Sequence, residues 1–454
     1  MSNQNVLVLP YPAQGHVKPL MLFSHKLAQN GFKITFVNSD FNHKRVLNAR
    51  VDDQMDSKID LVSIPDGLGP EDDRDEIGQL CKAILETMPA KLEELIQNIN
   101  DESDENSKIT CVLADAHMGW AMEVAEKMGI RRAVIWPASA AVFLLELSIP
   151  TMILDGILES DGPPTKKQMF QLTAGMPAMD TENIPWAIGD LSSQKIIFHY
   201  VMTFVRGWKL TDWWLCNTFY DIESPALASV PKLLPIGPIL TENQTLDGHS
   251  GSQLWLEDSS CLSWLSEQPP CSVIYVAFGS LTVHDQTQFN ELALGLQLIG
   301  RPFLWVVRPG FTKGSSKSEY PDGFGGNLGK IVSWAPQQKV LSHPSVACFV
   351  SHCGWNSTIE GLSNGVPFLC WPYFADQILN KSYICDYWKV GIGFDADEKG
   401  IVSREEVKKK VDQVIGDGDI RRRSLKFKEM AKKNGAEDGQ SSRNLKDFIT
   451  WLKS

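Results

Sequence analysis

A cluster of hydrogen-bonding residues follows an apolar run in the C-terminal half of the chain. The segment Ser351-His352-Cys353-Gly354-Trp355-Asn356-Ser357 comes at the end of that run and opens a helical pattern. The first N–H groups of a helix lack a partner inside the helix, and the positive end of its dipole lies beside them. Together these features bind anions. The pattern therefore predicts a diphosphate site, to which His352 could donate a further hydrogen bond.

Residues on either side of this segment suit the other parts of a nucleotide sugar. Trp334 offers a flat face to a base, and Glu360 can accept hydrogen bonds from ribose hydroxyls. Asp376 and Gln377 could bind sugar hydroxyls. Structural interpretations stay open, since Ser357-x-x-Glu360 matches a capping box and large aromatic residues usually lie in a core. The occurrence of all these residues on successive strand ends favours a binding site.

A candidate general base lies near the N-terminus. His16 follows the first apolar run and a glycine-containing turn, and an imidazole suits proton transfer near neutral pH. Asp115 ends a second apolar run, and its carboxylate could orient the imidazole. Each residue could instead cap a helix. His25 and His43 lack comparable support, and His117 is interpreted as a pocket-lining or surface residue.

These residues need elements that place them at one edge of a sheet. Apolar runs at 6–9, 33–37, 109–114 and 133–136 alternate with helical patterns, which predicts parallel strands. The first of these helical patterns runs from about Val17 to Asn30. The second half repeats this plan. Its predicted strands are 273–277, 303–307, 330–334, 347–351 and 366–371, and its first predicted helix is 286–298.

The alternation predicts an α/β protein with two Rossmann-like, doubly wound domains that face each other across a cleft. The polar segment 238–252 is predicted to link an N-terminal domain, 1–237, to a C-terminal domain, 253–435. Ligands of such sheets bind at the carboxyl ends of the strands. Both candidate clusters lie at predicted carboxyl ends.

Composition excludes several classes of protein. A net charge of −12 and the lack of a basic patch disfavour nucleic acid and anionic membranes as partners. The nine cysteines are scattered without a C-x-x-C pair, so neither a disulfide framework nor a zinc site is expected. The apolar stretch 133–145 is short of the ~20 residues that span a bilayer. With no signal-peptide pattern at its start, the protein is expected to be cytoplasmic.

The segment Trp334–Gln377 resembles the 44-residue signature box of plant family 1 UDP-glycosyltransferases. The matching sequences are W-A-P-Q, S-H-C-G-W-N-S-T-I-E-G, G-V-P and W-P-Y-F-A-D-Q, and the resemblance extends over the whole chain. It implies a GT-B fold whose C-terminal helix, 436–454, packs back on the N-terminal domain. It also implies a donor site formed by Ser280, Trp334, Ala335, Gln337, His352, Trp355, Asn356, Ser357, Glu360, Asp376 and Gln377.

The resemblance gives these residues specific roles. It assigns uracil to Trp334 and Gln337, and ribose to Glu360. His352, Asn356 and Ser357 are implied to hold the diphosphate. The sugar is implied to bind to Trp355, Asp376 and Gln377. A glutamine at the last position of the box, here Gln377, indicates glucose rather than galactose.

The same resemblance implies an inverting transfer of glucose from UDP-glucose to a hydroxyl group, which gives a β-glucoside. The segments Pro12-Ala13-Gln14-Gly15-His16 and Ala114-Asp115-Ala116 match the positions of the catalytic histidine and aspartate. No metal or other cofactor is expected, and a monomer is expected. The acceptor would be a small lipophilic molecule of plant secondary metabolism, such as a phenolic or terpenoid alcohol. Its predicted contacts are Gly15, His117, Trp120, Trp136, Ser139, Phe143 and Phe374.

One departure and three alternatives accompany this prediction. Pro137 stands where many family members have Thr or Ser in contact with the donor sugar, and Ser139 could substitute. A nicotinamide oxidoreductase would need G-x-G-x-x-G after a first strand, and neither first turn has it. A catalytically silent binding protein of the same fold stays open, although His16 and Asp115 argue against it. Use of another UDP-sugar also stays open.

Overall fold

The chain divides into two compact units. A computed structural model describes residues 4–48, 57–102, 107–240, 254–313, 319–321, 324 and 328–454. Unit 1 comprises Met1–Trp255 and Asn434–Ser454, and unit 2 comprises Leu256–Lys433. Most of the predicted linker, residues 241–252, lies outside the described residues.

A parallel sheet of seven strands forms the centre of unit 1. The strands of this unit are β1 (Asn5–Leu9), β2 (Lys33–Ser39), β3 (Ile59–Ile64), β4 (Ile109–Asp115), β5 (Arg131–Trp136), β6 (Met169–Phe170), β7 (Met179–Asp180), β8 (Trp213–Cys216) and β9 (Leu233–Pro235). The order across the sheet is β3-β2-β1-β4-β5-β8-β9, and β6 pairs with β7 separately. The chain order reverses between β1 and β4, which is where such sheets bind ligands.

Helices connect the strands of unit 1. They are α1 (Gln14–Gln29), α2 (Asp40–Asn48), α3 (Ile77–Glu102), α4 (Ala121–Lys127), α5 (Ala140–Leu147), α6 (Ile149–Leu154), α7 (Leu191–Trp208) and α8 (Tyr220–Ser229). Short 3-10 turns lie at Ala116–Met118 and Thr181–Asn183. The side chains of β1 are all buried, because helices cover both faces of a parallel sheet.

Unit 2 repeats this arrangement with a parallel sheet of six strands. The strands are β10 (Val273–Ala277), β11 (Phe303–Val306), β12 (Gly329–Val332), β13 (Val346–Ser351), β14 (Phe368–Cys370) and β15 (Gly391–Gly393). Their order is β12-β11-β10-β13-β14-β15, so the reversal falls between β10 and β13. The loops after these two strands contain Ser280 and His352.

The helices of unit 2 include the one that follows the predicted diphosphate segment. They are α9 (Ser260–Ser266), α10 (Gln286–Ile299), α11 (Gln337–Ser342), α12 (Trp355–Asn364), α13 (Gln377–Ser382), α14 (Arg404–Gly416) and α15 (Gly418–Gly435), with a π-helical turn at Tyr383–Tyr387.

The last helix, α16 (Gln440–Lys453), belongs to unit 1. Phe448 is fully buried and stacks on Phe23 of α1 at a ring distance of 6.1 Å. The Arg131 guanidinium donates hydrogen bonds to the carbonyl oxygens of Trp451 and Leu452 at 2.6 and 3.2 Å. A cation at a helix C-terminus is favourable, because it faces carbonyls that lack intrahelical partners.

The predicted α/β class with two Rossmann-like sheets is confirmed. Two boundaries differ in a way that bears on chemistry. Helix α1 begins at Gln14 rather than near Val17, so His16 lies within its first turn. Strand β4 extends one residue further than predicted and ends at Asp115. Within the described residues, no helix is both long and apolar enough to cross a membrane.

Candidate active site

His16 and Asp115 form a hydrogen-bonded pair in unit 1. β1 and β4 are neighbours in the sheet, with Leu9 opposite Ala114, so the residues that follow them lie at one edge. His16 Nδ1 is 2.7 Å from Asp115 Oδ2. The Asp115 carboxylate is completely buried, whereas the His16 side chain is 22% exposed. A buried acceptor therefore holds an imidazole whose other edge can be reached from outside.

Asp115 also binds His117, which the sequence placed only as a pocket-lining or surface residue. The backbone N–H of His117 donates to Asp115 Oδ1 at 2.9 Å, and its Nδ1 lies 3.1 Å from the same oxygen. Its ring stacks on Trp136 with centroids 4.6 Å apart and planes at 10°. The side chain is thus fixed between an aromatic face and the carboxylate.

The electrostatics of the three groups are consistent with an ionised carboxylate between two imidazoles. Burial would raise the pKa of Asp115, but the charge of a protonated His16 and hydrogen bonds from His117 and His16 outweigh it and lower that pKa. Burial lowers the pKa of His117, which favours its neutral form. Because an ionised carboxylate only accepts, Nδ1 of His16 carries the proton and Nε2 of the neutral ring is left as a base.

Only one of the two residues, Asp115, caps a helical element. Asp115 caps the 3-10 turn after β4 and binds His16 at the same time, since its two oxygens serve different donors. His16 makes no side-chain cap of α1, whose N-cap residue is Ala13.

Aromatic residues that the sequence analysis missed surround this pair. The Tyr11 ring lies 5.1 Å from that of His16 and 6.2 Å from that of Tyr200. Phe204 contacts the His117 ring at 5.2 Å. Tyr11 lies in the turn after β1, so its place at the strand end was a signal that could have identified it. Tyr200 and Phe204 lie on α7, and only the fold brings them here.

The predicted acceptor residues of unit 1 have different environments. Trp120, Trp136 and Phe143 are almost fully buried, whereas Gly15 is exposed. Phe143 stacks on Trp208 at 4.1 Å. Ser139 is buried as the N-cap of α5, where its hydroxyl accepts from the Val142 N–H. That bond uses one lone pair of the hydroxyl, and a role for Ser139 in place of the Thr or Ser missing at position 137 stays a prediction.

One group of possible metal ligands occurs in the described part of the chain. His16, Asp115 and His117 have ligand atoms within 4.8 Å of one another. The Nδ1 atoms, however, lie 2.7 and 3.1 Å from the carboxylate oxygens. Those are hydrogen-bond distances, and an ion held at ~2.0–2.2 Å from each ligand would need the pair to separate.

In unit 2, helix α12 begins beside His352. Gly354 is its N-cap and supplies no side-chain cap. The first N–H groups of a helix point out of its N-terminal end, where an anion can accept hydrogen bonds from them. An added Cβ at Gly279 or Gly354 would lie only 2.6 or 2.5 Å from His352 Nε2. The imidazole is therefore packed between two glycines. Burial lowers the pKa of His352 to about 4, so the ring is neutral and can donate one N–H.

A hydrogen-bond network joins α11 to α12. The Gln337 amide donates to Ser357 Oγ at 2.9 Å and to Glu360 Oε2 at 2.6 Å. Gln338 donates to the other Glu360 oxygen at 3.3 Å. The capping-box interpretation is wrong, because α12 begins at Trp355 and places Ser357 inside the helix. Trp334 is half-buried rather than a core residue.

Asp376 and Gln377 lie at the start of α13. Gln377 Oε1 accepts from the N–H groups of Tyr373 and Phe374 at 2.8 and 3.2 Å. Asp376 Oδ2 accepts from Asn380 at 2.9 Å. Ala375, between Phe374 and Asp376, has a left-handed φ of 54°, a strained conformation that clusters at binding sites.

Comparison with known proteins shows the family to which the chain belongs. The chain is 46% identical to UDP-glycosyltransferase 83A1 of Arabidopsis thaliana, with 100% of this chain and 98% of that protein covered. It belongs to the plant UDP-glycosyltransferase family. Residues 256–434 of this glycosyltransferase match the family described as UDP-glucoronosyl and UDP-glucosyl transferase.

Further relatives support the same assignment. The enzyme is 36% identical to linamarin synthase 1 of Manihot esculenta, over 98% of this chain and 96% of that one. Its fold is similar to that of Phytolacca americana UGT2 complexed with UDP-2fluoro-glucose and pterostilbene. That likeness has a TM-score of 0.80 and 27% identity, over 99% of this chain and 100% of the other. The predicted family, the GT-B fold and UDP-glycosyltransferase activity are thus confirmed.

Proposed function

We propose that this enzyme transfers glucose from UDP-glucose to a hydroxyl group of a small lipophilic acceptor and releases a β-glucoside. The observation that carries the proposal is the His16–Asp115 pair, with its 2.7 Å hydrogen bond, its buried carboxylate and its accessible imidazole edge. A silent binding protein would not need a base held in one tautomer. The complex of the similar enzyme Phytolacca americana UGT2 with UDP-2fluoro-glucose supports the choice of donor sugar.

In the proposed reaction, His16 Nε2 removes the proton of the acceptor hydroxyl as its oxygen bonds to the anomeric carbon. The bond from that carbon to the UDP oxygen breaks at the same time, and UDP leaves with both electrons. Attack opposite the leaving group inverts the anomeric centre. Asp115 keeps the proton of His16 on Nδ1 and stabilises the imidazolium that forms.

His117 is a positioning residue in this scheme. Two of the three hydrogen bonds that Asp115 accepts come from His117. They direct Oδ2 of the carboxylate toward His16. Stacking on Trp136 keeps the His117 ring in place, and the same ring would contact the acceptor.

Unit 2 is proposed to bind the donor. The start of α12 with Asn356 and Ser357, together with His352 and Ser280, would hold the diphosphate and stabilise the charge that develops on UDP. Trp334, Ala335 and Gln337 would bind uracil, and Glu360 would bind ribose. Trp355, Asp376 and Gln377 would bind glucose, with the Gln377 amide nitrogen directed to the sugar because its oxygen is used internally.

The proposal includes a reaction without a metal, since hydrogen-bond donors and a helix N-terminus can stabilise the leaving diphosphate. The acceptor would contact the aromatic residues of unit 1, and a contact with Phe374 stays a prediction. Flat phenolic or terpenoid alcohols suit such apolar walls. Cytoplasmic location, a monomeric state and a place in secondary metabolism stay predictions.

The test is UDP release from UDP-glucose with EDTA present, against a panel of phenolic and terpenoid alcohols. We expect acceptor-dependent release by the wild type and a loss of about 100-fold or more in His16→Ala, because general-base catalysis contributes roughly that factor. UDP binding should persist in the variant. His199→Ala, which removes an exposed histidine of the same unit, is the matched control. Equal activity of His16→Ala and the wild type would refute the proposed base.

A further inference from the structure

Asn380 is a buried side chain of unit 2 that joins two segments of the proposed donor site. It belongs to α13, one turn after Asp376, and is fully buried. Its NH₂ group donates to the backbone carbonyl of Cys353 and to Asp376 Oδ2, both at 2.9 Å. The other side-chain donor to the Cys353 carbonyl, Thr358 Oγ1, lies farther away at 3.4 Å. A backbone carbonyl and an ionised carboxylate can only accept, so the amide nitrogen must face both.

Each of the two joined segments contains a strained backbone conformation. Cys353, between His352 and the start of α12, has a left-handed φ of 66°. Ala375, directly before Asp376, has a left-handed φ of 54°. Such conformations are unfavourable for residues other than glycine, and they persist only where surrounding contacts fix them. Asn380 supplies a contact at the first strained residue and beside the second.

Stability alone does not account for an asparagine at position 380. Its Oδ1 atom is buried and has no hydrogen-bond partner in the part of unit 2 that the structure describes. An unpaired buried acceptor is costly, and asparagine is a poor residue for the inside of a helix. Departures from these rules are expected at functional sites. What the position gains is the pair of bonds to Cys353 and Asp376.

We propose that Asn380 is a positioning residue for the donor, which sets the Asp376 carboxylate against the glucose and fixes the backbone that leads from His352 into α12. The bond to Oδ2 gives the carboxylate one orientation, since rotation would break that bond. The bond to Cys353 holds the first N–H groups of α12 in place for the diphosphate. One side chain thus ties recognition of the sugar to recognition of the diphosphate. This inference rests on the proposed function.

Two ligands separate the effects of the two bonds. UDP has the diphosphate but no sugar, so of the two bonds only the one to Cys353 affects its affinity. The affinity for UDP-glucose depends on both bonds. The ratio of the two dissociation constants therefore isolates the bond to Asp376. A role of Asn380 in folding alone would weaken both ligands equally and leave the ratio unchanged.

The experiment measures the dissociation constants of UDP and UDP-glucose by isothermal titration without an acceptor. The proteins are wild type, Asn380→Leu, Asn380→Ala, Asp376→Ala and the double variant Asn380→Leu/Asp376→Ala. Asn290→Leu is the matched control, because it makes the same change at a half-buried asparagine of α10. Val411→Ala is a second control, which removes part of a buried side chain from the core of unit 2. Thermal unfolding verifies the folding of each variant.

We expect Asn380→Leu to weaken the binding of UDP-glucose about tenfold more than the binding of UDP, the value of a hydrogen bond to a charged group. Asn380→Ala lacks the same donor and adds no bulk, so it should shift the ratio equally even if the leucine variant does not fold. Asp376→Ala should shift the ratio by a similar factor. In the double variant, the loss of Asn380 should cause no further shift, because its bond to Asp376 is already absent. Neither control should change the ratio.

Three results would overturn the proposal. The first is a ratio that the folded Asn380 variants leave unchanged. The second is a further shift of the full size when Asn380→Leu is added to Asp376→Ala, since Asn380 would then not act through Asp376. The third is an equal shift in Val411→Ala, because loss of stability would then be a sufficient cause.

Binding and turnover separate this inference from the proposed function. The expected shift of the ratio in an enzyme that releases no UDP with any acceptor would support the role of Asn380 and count against the proposed transfer. Transfer of glucose by the wild type, together with a ratio that is the same in all variants, would support the reaction and refute the role of Asn380.

Discussion

Replacing Asp115 with asparagine should harm catalysis more than deleting its side chain. The carboxylate accepts one hydrogen bond from a group that can only donate, the backbone N–H of His117 at 2.9 Å. In Asp115→Asn, the amide oxygen must therefore face His117. The amide NH₂ group must then face His16, where the carboxylate oxygen now lies at 2.7 Å.

This orientation reverses the tautomer of His16. Facing an NH₂ donor, Nδ1 becomes an acceptor and the proton moves to Nε2, which can no longer take a proton from the acceptor. The opposite amide orientation would leave two buried donors opposed, at a cost of about 1–3 kcal/mol, which makes it roughly 5- to 150-fold less populated. In Asp115→Ala, by contrast, His16 can still adopt the reactive tautomer.

We expect kcat to fall about 100-fold in Asp115→Ala and about 1,000-fold or more in Asp115→Asn, within the range that a correctly held base contributes. The assay is single-turnover UDP release, with UDP binding as the control. Nitrogen NMR of the His16 ring would report its tautomer directly. An asparagine variant that is more active than the alanine variant would refute this account of Asp115.

Two further changes test unit 2. Gly354→Ala should weaken UDP binding about tenfold, because the new Cβ would lie 2.5 Å from His352 Nε2 and displace the ring. The control Gly416→Ala, whose new Cβ would meet nothing within 4 Å, should leave the affinity unchanged. Isothermal titration measures the affinity of both variants for UDP, and equal affinities would contradict the role of His352. Burial lowers the pKa of His284 to about 4, so its imidazole binds a proton more weakly in the folded protein than in the unfolded chain. The free energy of unfolding should therefore decrease as the pH falls below about 6.5, the pKa of histidine in the unfolded chain. His284→Leu should recover about 2 kcal/mol of unfolding free energy at about pH 5, measured by urea unfolding, and an unchanged pH dependence would refute this.

The sequence allowed the fold and the positions of the site to be predicted because both depend on local patterns. Alternating apolar runs and helical patterns predicted two doubly wound sheets, and the strand-end rule directed attention to His16, Asp115 and the segment around His352. The residues at which elements begin and end were harder to predict. Helix α1 begins three residues before the predicted start, since polar Gln14 and Gly15 carry no apolar periodicity.

Contacts between distant side chains could not be predicted from one sequence. His117 bonds to Asp115 because a 3-10 turn folds its ring back, and no spacing rule indicates that turn. The Ser357 capping pattern was wrong for a related reason: glycine at position 354 starts the helix earlier.

The most direct test of the central claim is the structure of the product. The chain is incubated with carbon-13-labelled UDP-glucose and the acceptor panel, and the anomeric proton of any glucoside is observed by NMR. The account predicts a glucoside whose anomeric coupling is that of the β-anomer, formed by the wild type and lost in His16→Ala. An α-glucoside, or tight UDP binding without any glucoside, would contradict inverting transfer by a His16 base.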